Sequence, residues 1–133
     1  VLTAVRQAIR LEVVSTPRTA VPITAELCYL PEEPYSVHIH LPPATPLGTG
    51  TRWTFSRDLL GAGLGRSSHL DGVWIWPVPP EHTRIALEDP DGTVLLQADS
   101  SDLLRFLDRS YAAVPAGSER HHGHSAPDRR PGP

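Results

Sequence analysis

The sequence predicts an α+β fold in which antiparallel strands predominate and two helices interrupt them. Three observations lead there. Apolar residues alternate with period two through most of the first half, two later segments switch to amphipathic helical spacing, and turn-forming residues separate the periodic stretches.

Val5, Gln7, Ile9, Leu11 and Val13 fall on one side of an extended segment, with Arg6, Arg10 and Glu12 on the other, which is the pattern of a half-buried strand. Ile23, Ala25, Leu27 and Tyr29 repeat it opposite Thr24, Glu26 and Cys28. Tyr35, Val37, Ile39 and Leu41 repeat it again opposite Ser36, His38 and His40, and Leu30-Pro31-Glu32-Glu33-Pro34 joins these two strands as a hairpin. A proline-containing loop over 42–50 leads to a fourth strand, Thr51 to Phe55. Ser56 is placed to cap a short helix with Asp58 in its first turn, where negative charge suits the helix dipole, and Gly61, Gly63 and Gly65 keep it to about two turns. Val73 to Trp76 and Thr83 to Glu88 read as strands, and Asp89-Pro90-Asp91-Gly92 as a turn into a further strand, Thr93 to Ala98. Ser100 or Ser101 opens a second helix with Leu103, Leu104, Leu107, Tyr111 and Val114 as its apolar stripe; Arg105, Asp108 and Arg109 lie outside it, and Pro115 and Gly117 stop it. The predicted order is ββββα–βββα, suggestive of a structural duplication. Residues 1–117 form one domain in this reading. Residues 118–133 have no apolar periodicity and are expected to be a disordered Pro-, His- and Arg-rich tail whose removal leaves the thermal midpoint unchanged.

With 133 residues the chain has room for one core. No apolar run reaches a membrane span, and Arg6 and Arg10 interrupt what a signal-peptide core would need, so a cytoplasmic protein is expected. The lone Cys28 has no partner for an internal disulfide, which fits a reducing compartment. Residues 1–114 carry nine arginines against thirteen acids, a balance ill suited to binding phosphate, so nucleic acid is not an expected partner.

Candidate sites are few. His38 and His40 share one strand face, and a register that pairs Tyr29 with Tyr35 puts Glu26 beside His38. Two imidazoles and a carboxylate form a possible zinc set; an ordinary cross-strand Glu–His pair is the competing reading, and no metal is assigned. His121, His122 and His124 lie in the tail without a packed surround. Gly61-Ala62-Gly63-Leu64-Gly65 lacks the spacing of a dinucleotide fingerprint, and no nucleophile elbow occurs, so neither a cofactor nor an enzyme is expected. Trp74 and Trp76 alternate with Val73 and Ile75, so both faces of that strand are apolar. One face belongs to the core, and the other is covered by a helix or a subunit or else exposed as a partner-binding or base-stacking patch. Arg57 and Asp58, at a helix start, are candidate surface groups for a protein interface; the competing readings are a capping and surface-charge feature, or an internal ion pair that locks one of them into the fold.

Four blocks in order carry a resemblance: Glu33-Pro34-Tyr35-Ser36-Val37 after Glu26 to Tyr29; Trp53-Thr54-Phe55-Ser56-Arg57-Asp58-Leu59-Leu60; Asp71-Gly72-Val73-Trp74-Ile75-Trp76-Pro77; and Leu103 to Arg109 with Val114-Pro115-Ala116-Gly117-Ser118-Glu119. They resemble the SsgA-like proteins of sporulating actinomycetes over about Val5 to His122, the Phe-x-Arg-Asp-Leu-Leu block most specifically. The resemblance implies a Whirly-like fold, with a curved antiparallel sheet backed by helices, assembled as a homotrimer. It also implies a non-enzymatic regulator or adaptor of sporulation-specific cell division, working at septa through contacts with FtsZ, another SsgA-like protein or a septum protein. The fold keeps a single-stranded nucleic-acid binder as the alternative. The chain departs from the family after Gly117, where His121-His122-Gly123-His124 and prolines replace an acidic, apolar terminal helix.

Overall fold

The predicted alternation becomes one eight-stranded antiparallel sheet in the computed structural model, which describes residues 3–16, 19–42, 51–89 and 92–121. The strands are β1 (Val5–Thr16), β2 (Thr19–Tyr29), β3 (Ser36–Leu41), β4 (Thr51–Ser56), β5 (Ser68–Leu70), β6 (Val73–Val78), β7 (His82–Asp89) and β8 (Gly92–Asp99). Two helices, α1 (Arg57–Gly65) and α2 (Ser100–Ala113), follow β4 and β8, and a 3₁₀ turn spans Glu119–His121. The spatial order β4-β3-β2-β1-β8-β7-β6-β5 leaves β4 and β5 as the two edges. α1 connects those edges, and residues from both line one groove, so the sheet curls until its ends face each other.

The odd-numbered side chains expected to face inward do so except Gln7, which is half-buried, and Tyr35, which is 49% exposed because it stands in the turn before β3 rather than in the strand. Ile9, Leu11, Leu27, Tyr29, Val37, Ile39, Phe55, Ile75, Ile85 and Leu87 are buried with Leu96, Leu60, Leu103 and Phe106 in a single core. α1 packs on β5 and β6, and α2 on β1 and β8. Both helices thus cover the same sheet face.

Three expectations are corrected. The second half contains four strands rather than three, because Ser68–Leu70 pairs with β6 across a two-residue turn in which Asp71 (φ 51°) and Gly72 (φ 77°) both take left-handed backbone. Three residues are too few to show a period. In α2 the buried stripe is Leu103, Phe106, Leu107 and Ser110, while Leu104 is 51% exposed, since neighbouring positions lie a large helical rotation apart and Leu103 takes the inward one. The β2–β3 register is Glu26↔His40 and Cys28↔His38, two residues away from the expected Glu26–His38 pairing. The connecting loop consumes the difference in two successive turns, Glu33 N–H to Leu30 O and Ser36 N–H to Glu33 O.

Candidate interaction surface

β4 runs directly into α1. Ser56 keeps extended backbone while its Oγ accepts the Leu59 N–H at 3.1 Å, capping the helix as predicted. Arg57 therefore stands at the first helical position, and its side chain turns inward. It is 1% exposed, which corrects its expected place on the surface. Nη1 donates to the Ser110 and Val114 carbonyls at 3.1 and 2.8 Å, at the end of α2, and Nη2 donates to Glu119 Oε2 at 2.9 Å. The guanidinium lies 4.7 Å from the Tyr29 ring centre and 4.2 Å from that of Tyr111. Tyr29 in turn donates its hydroxyl to Pro34 O, and burial pushes its pKa up to about 12. A cation at a helix N-terminus opposes the helix dipole, and the Glu119 carboxylate offsets it.

Glu119 is itself 7% exposed. Burial raises its pKa, but backbone N–H groups, including that of Gly117 at 2.8 Å, and the Arg57 hydrogen bond outweigh burial and hold the carboxyl below its ordinary value. The described part of the expected loose tail, Ser118–His121, is thus fastened to the body by a charge pair rather than by apolar packing. Residues 122–133, with His122 and His124, lie outside the described residues. A chain ending at Gly117 is expected to melt more than about 10 °C below one ending at His121, because it leaves the buried Arg57 without its counter-ion. Differential scanning fluorimetry on the two truncations checks this.

Asp58, next in the chain, is exposed and has no ion-pair partner among the described residues.

His38, His40 and Glu26 do not converge. His38 is buried, with Nε2 2.8 Å from Glu33 Oε1 and Nδ1 2.8 Å from Thr54 Oγ1 and 3.2 Å from an Arg52 nitrogen. Arginine only donates, so Nδ1 is the acceptor and Nε2–H donates to Glu33. His40 instead sits 3.9 Å from Glu26, which also pairs with Arg6 at 3.3 Å. No group of three metal-ligating side chains occurs among the described residues. Burial first, then Arg52, lowers the His38 pKa below its ordinary 6.5 against the pull of Glu33. A depressed folded-state value means that this group's stabilising contribution is complete above about pH 6.5 and declines as pH falls through the folded value. His38→Gln is expected to flatten the wild-type loss of urea stability between pH 7 and pH 5. An unchanged slope would place that loss on another group.

The remaining candidates lie on the sheet face opposite both helices. Trp74 is 40% exposed and stacks on His69, its cross-strand partner, with ring centres 3.9 Å apart. Trp76 is half-buried opposite Arg84, whose Nε donates to Gln97 Oε1; Gln97 in turn donates to Glu12 Oε1. Leu70 (47% exposed) and Tyr35 (49%) lie nearby, both lining a groove of about 330 Å³ with Ser36, Thr54, Phe55, Ser56, Asp71 and Val73. Sequence reading missed this groove, since Tyr35, Leu70 and Asp71 come from opposite ends of the sheet. Their only sequence signal is that each stands beside a tight turn.

The glycine run supports packing rather than ligand binding. A Cβ on Gly63 would overlap the Ile75 side chain, so its glycine lets α1 lie directly on β6.

Comparison with known proteins agrees with this construction. The sequence profile described as "Streptomyces sporulation and cell division protein, SsgA" matches residues 23–119. The sporulation-specific cell division protein SsgB of Salinispora tropica is 36% identical over 115 residues, covering 84% of this chain and 80% of that protein. The SsgB of Streptomyces coelicolor is 36% identical over 124 residues, covering 90% and 88%. A solved structure described in connection with mutations in SsgB and longitudinal cell division during sporulation of S. coelicolor superposes with a TM-score of 0.83 at 35% identity, covering 91% of this chain and 96% of that one. An SsgA-like sporulation-specific cell division protein from Thermobifida fusca gives 0.81 at 31% identity, covering 91% and 89%. Sequence blocks, α+β architecture and superposition agree, and the chain belongs to the SsgA family of sporulation and cell division proteins.

Proposed function

We propose that this chain regulates cell division during sporulation without catalysis, through protein contacts made at the β5–β6 corner of its sheet. The observation that carries the reading is Trp74, a large aromatic 40% exposed on a sheet face that neither helix covers. Trp76 extends the same surface in this reading, the exposed Asp58 offers a separate charged contact at the start of α1, and Arg57 acts inside the fold. The working form is a homotrimer of Whirly-like subunits placed at septa, presenting several copies of the corner to a division protein such as FtsZ or another SsgA-like protein. Repetition of a weak site raises apparent affinity without new contacts.

Trp74→Ala tests this in the sporulating host. The variant is expected to keep its fold within about 0.5 kcal/mol, as exposed positions usually do, to lose most co-purification of division proteins, and to fail to restore normal septa in a strain lacking the gene. A folded variant that restores septation fully overturns the assignment of this surface.

A further inference from the structure

β4 is an edge strand, and its hydrogen-bonding parity can be read from one contact. The Arg57 N–H donates to Tyr35 O at 2.9 Å, and the β3–β4 register runs through Ser36↔Ser56, Val37↔Phe55 and Ile39↔Trp53. In an antiparallel ladder, pairs that exchange both bonds alternate with pairs that exchange none, so Thr51, Trp53 and Phe55 bond to β3. The backbone groups of Arg52 and Thr54 and the N–H of Ser56 then point out of the sheet, while the Ser56 carbonyl belongs to the first turn of α1. Among the described residues nothing pairs with them across that edge. The groove of about 330 Å³ lies along this edge: Thr54, Phe55 and Ser56 form one side, Leu70, Asp71 and Val73 of the β5–β6 hairpin form the other, and Tyr35 closes an end. Its volume is at the lower end for small-molecule pockets and suits one or two side chains of an extended peptide. The walls are apolar at Tyr35, Phe55, Leu70 and Val73, and Asp71 supplies a carboxylate with no ion-pair partner among the described residues.

We propose that the open edge of β4 is a strand-addition site for an extended peptide of a partner protein. The peptide bonds to the N–H and carbonyl of Thr54 and to the N–H of Ser56, sets an apolar side chain into the groove and places a basic side chain against Asp71. Backbone pairing gives affinity, while the groove and the carboxylate select alternating apolar and basic character. A second copy of β4 does not meet this description. Its Phe55 is 5% exposed and its Trp53 packs on its own core, so it has no free apolar side chain to offer. The inference gives a partner chemistry to the protein-contact reading above and rests on it for its biological meaning, but binding itself is measured without cells.

Random decapeptides displayed on phage, selected on the full chain, are the probe. Thr54→Pro removes the outward N–H, and proline is tolerated on an edge strand; Thr54→Val removes the same hydroxyl, which contacts His38, and keeps the N–H. Selected peptides are expected to alternate apolar and basic residues and to slow amide exchange at Thr54 and Ser56. They should bind Thr54→Val like wild type, lose at least tenfold on folded Thr54→Pro, and weaken severalfold on Asp71→Asn with a flatter salt dependence. Three results overturn the proposal: no enrichment, binders indifferent to Thr54→Pro, or a change in oligomeric state in place of peptide binding. A failed septation assay for Trp74→Ala leaves each of these readouts intact, so the two readings fail separately.

Discussion

Arg57→Ala is expected to cost about 3–5 kcal/mol of folding free energy, the range for removing one partner of a buried ion pair. The side chain is 1% exposed, and its loss leaves Glu119, at 7% exposure, without its counter-ion and the Val114 carbonyl without this donor, while emptying the space between the Tyr29 and Tyr111 rings. Four separate segments meet at this guanidinium: the end of β2, the start of α1, the end of α2 and the 3₁₀ turn. Urea unfolding monitored by tryptophan fluorescence measures the cost, and a change below about 1 kcal/mol would show that the buried pair contributes little. Glu119→Gln keeps the shape and several hydrogen bonds, so its cost should be smaller. Because the Glu119 carboxyl is held below its ordinary value of 4.5, its contribution is complete above that pH and is lost as pH falls through the folded value. The Arg57→Ala variant should accordingly lose less stability than wild type between pH 5 and pH 3.

Arg57 also shows where sequence reading reached its limit. The pattern around it, a capping serine followed by Arg-Asp and an apolar pair, correctly gave a helix start, because capping and dipole effects are local. The destination of its side chain depends on Glu119, 62 residues away, and nothing in a short window encodes that distance. Period two revealed most of the strands because one sheet face is buried, and a half-buried strand must alternate. Register escaped for a different reason. It depends on how many residues the loop between Tyr29 and Ser36 consumes, and its two stacked turns shift the pairing by two residues without turning any side chain to the other face. Glu26, His38 and His40 therefore kept their shared side but lost the assumed contact. The two tryptophans were legible as a doubly apolar strand, and only the packing of both helices on the opposite face shows Trp74 to be uncovered.

Gly63→Ala carries the second large expected effect, and it tests how α1 is seated. α1 is nine residues long and connects the two edges of the sheet, so its distance from β6 determines how closely those edges approach. At Gly63 that distance leaves no room for a methyl group: the added Cβ overlaps the side chain of Ile75, a fully buried residue in the middle of β6, and lies 3.1 Å from the Ile75 carbonyl oxygen. Alanine is otherwise the better helix former by about 1 kcal/mol, so propensity alone predicts stabilisation. Overpacking a filled core costs about 1–3 kcal/mol, and an overlap with both a β-branched side chain and nearby backbone belongs at or above the upper end of that range. Net destabilisation of about 2 kcal/mol or more is therefore expected. Gly65→Ala, at the helix end with open space around its Cβ, should be close to neutral and serves as the control. If the clash is with Ile75, then Ile75→Ala, which removes Cγ2 and keeps Cβ, should make Gly63→Ala partly less costly in the double variant than in the wild-type background. Equal costs in both backgrounds would place the obstruction on the Ile75 Cβ and the backbone of β6, both of which that variant keeps. A neutral or stabilising Gly63→Ala would show that α1 rides farther from the sheet than this packing requires.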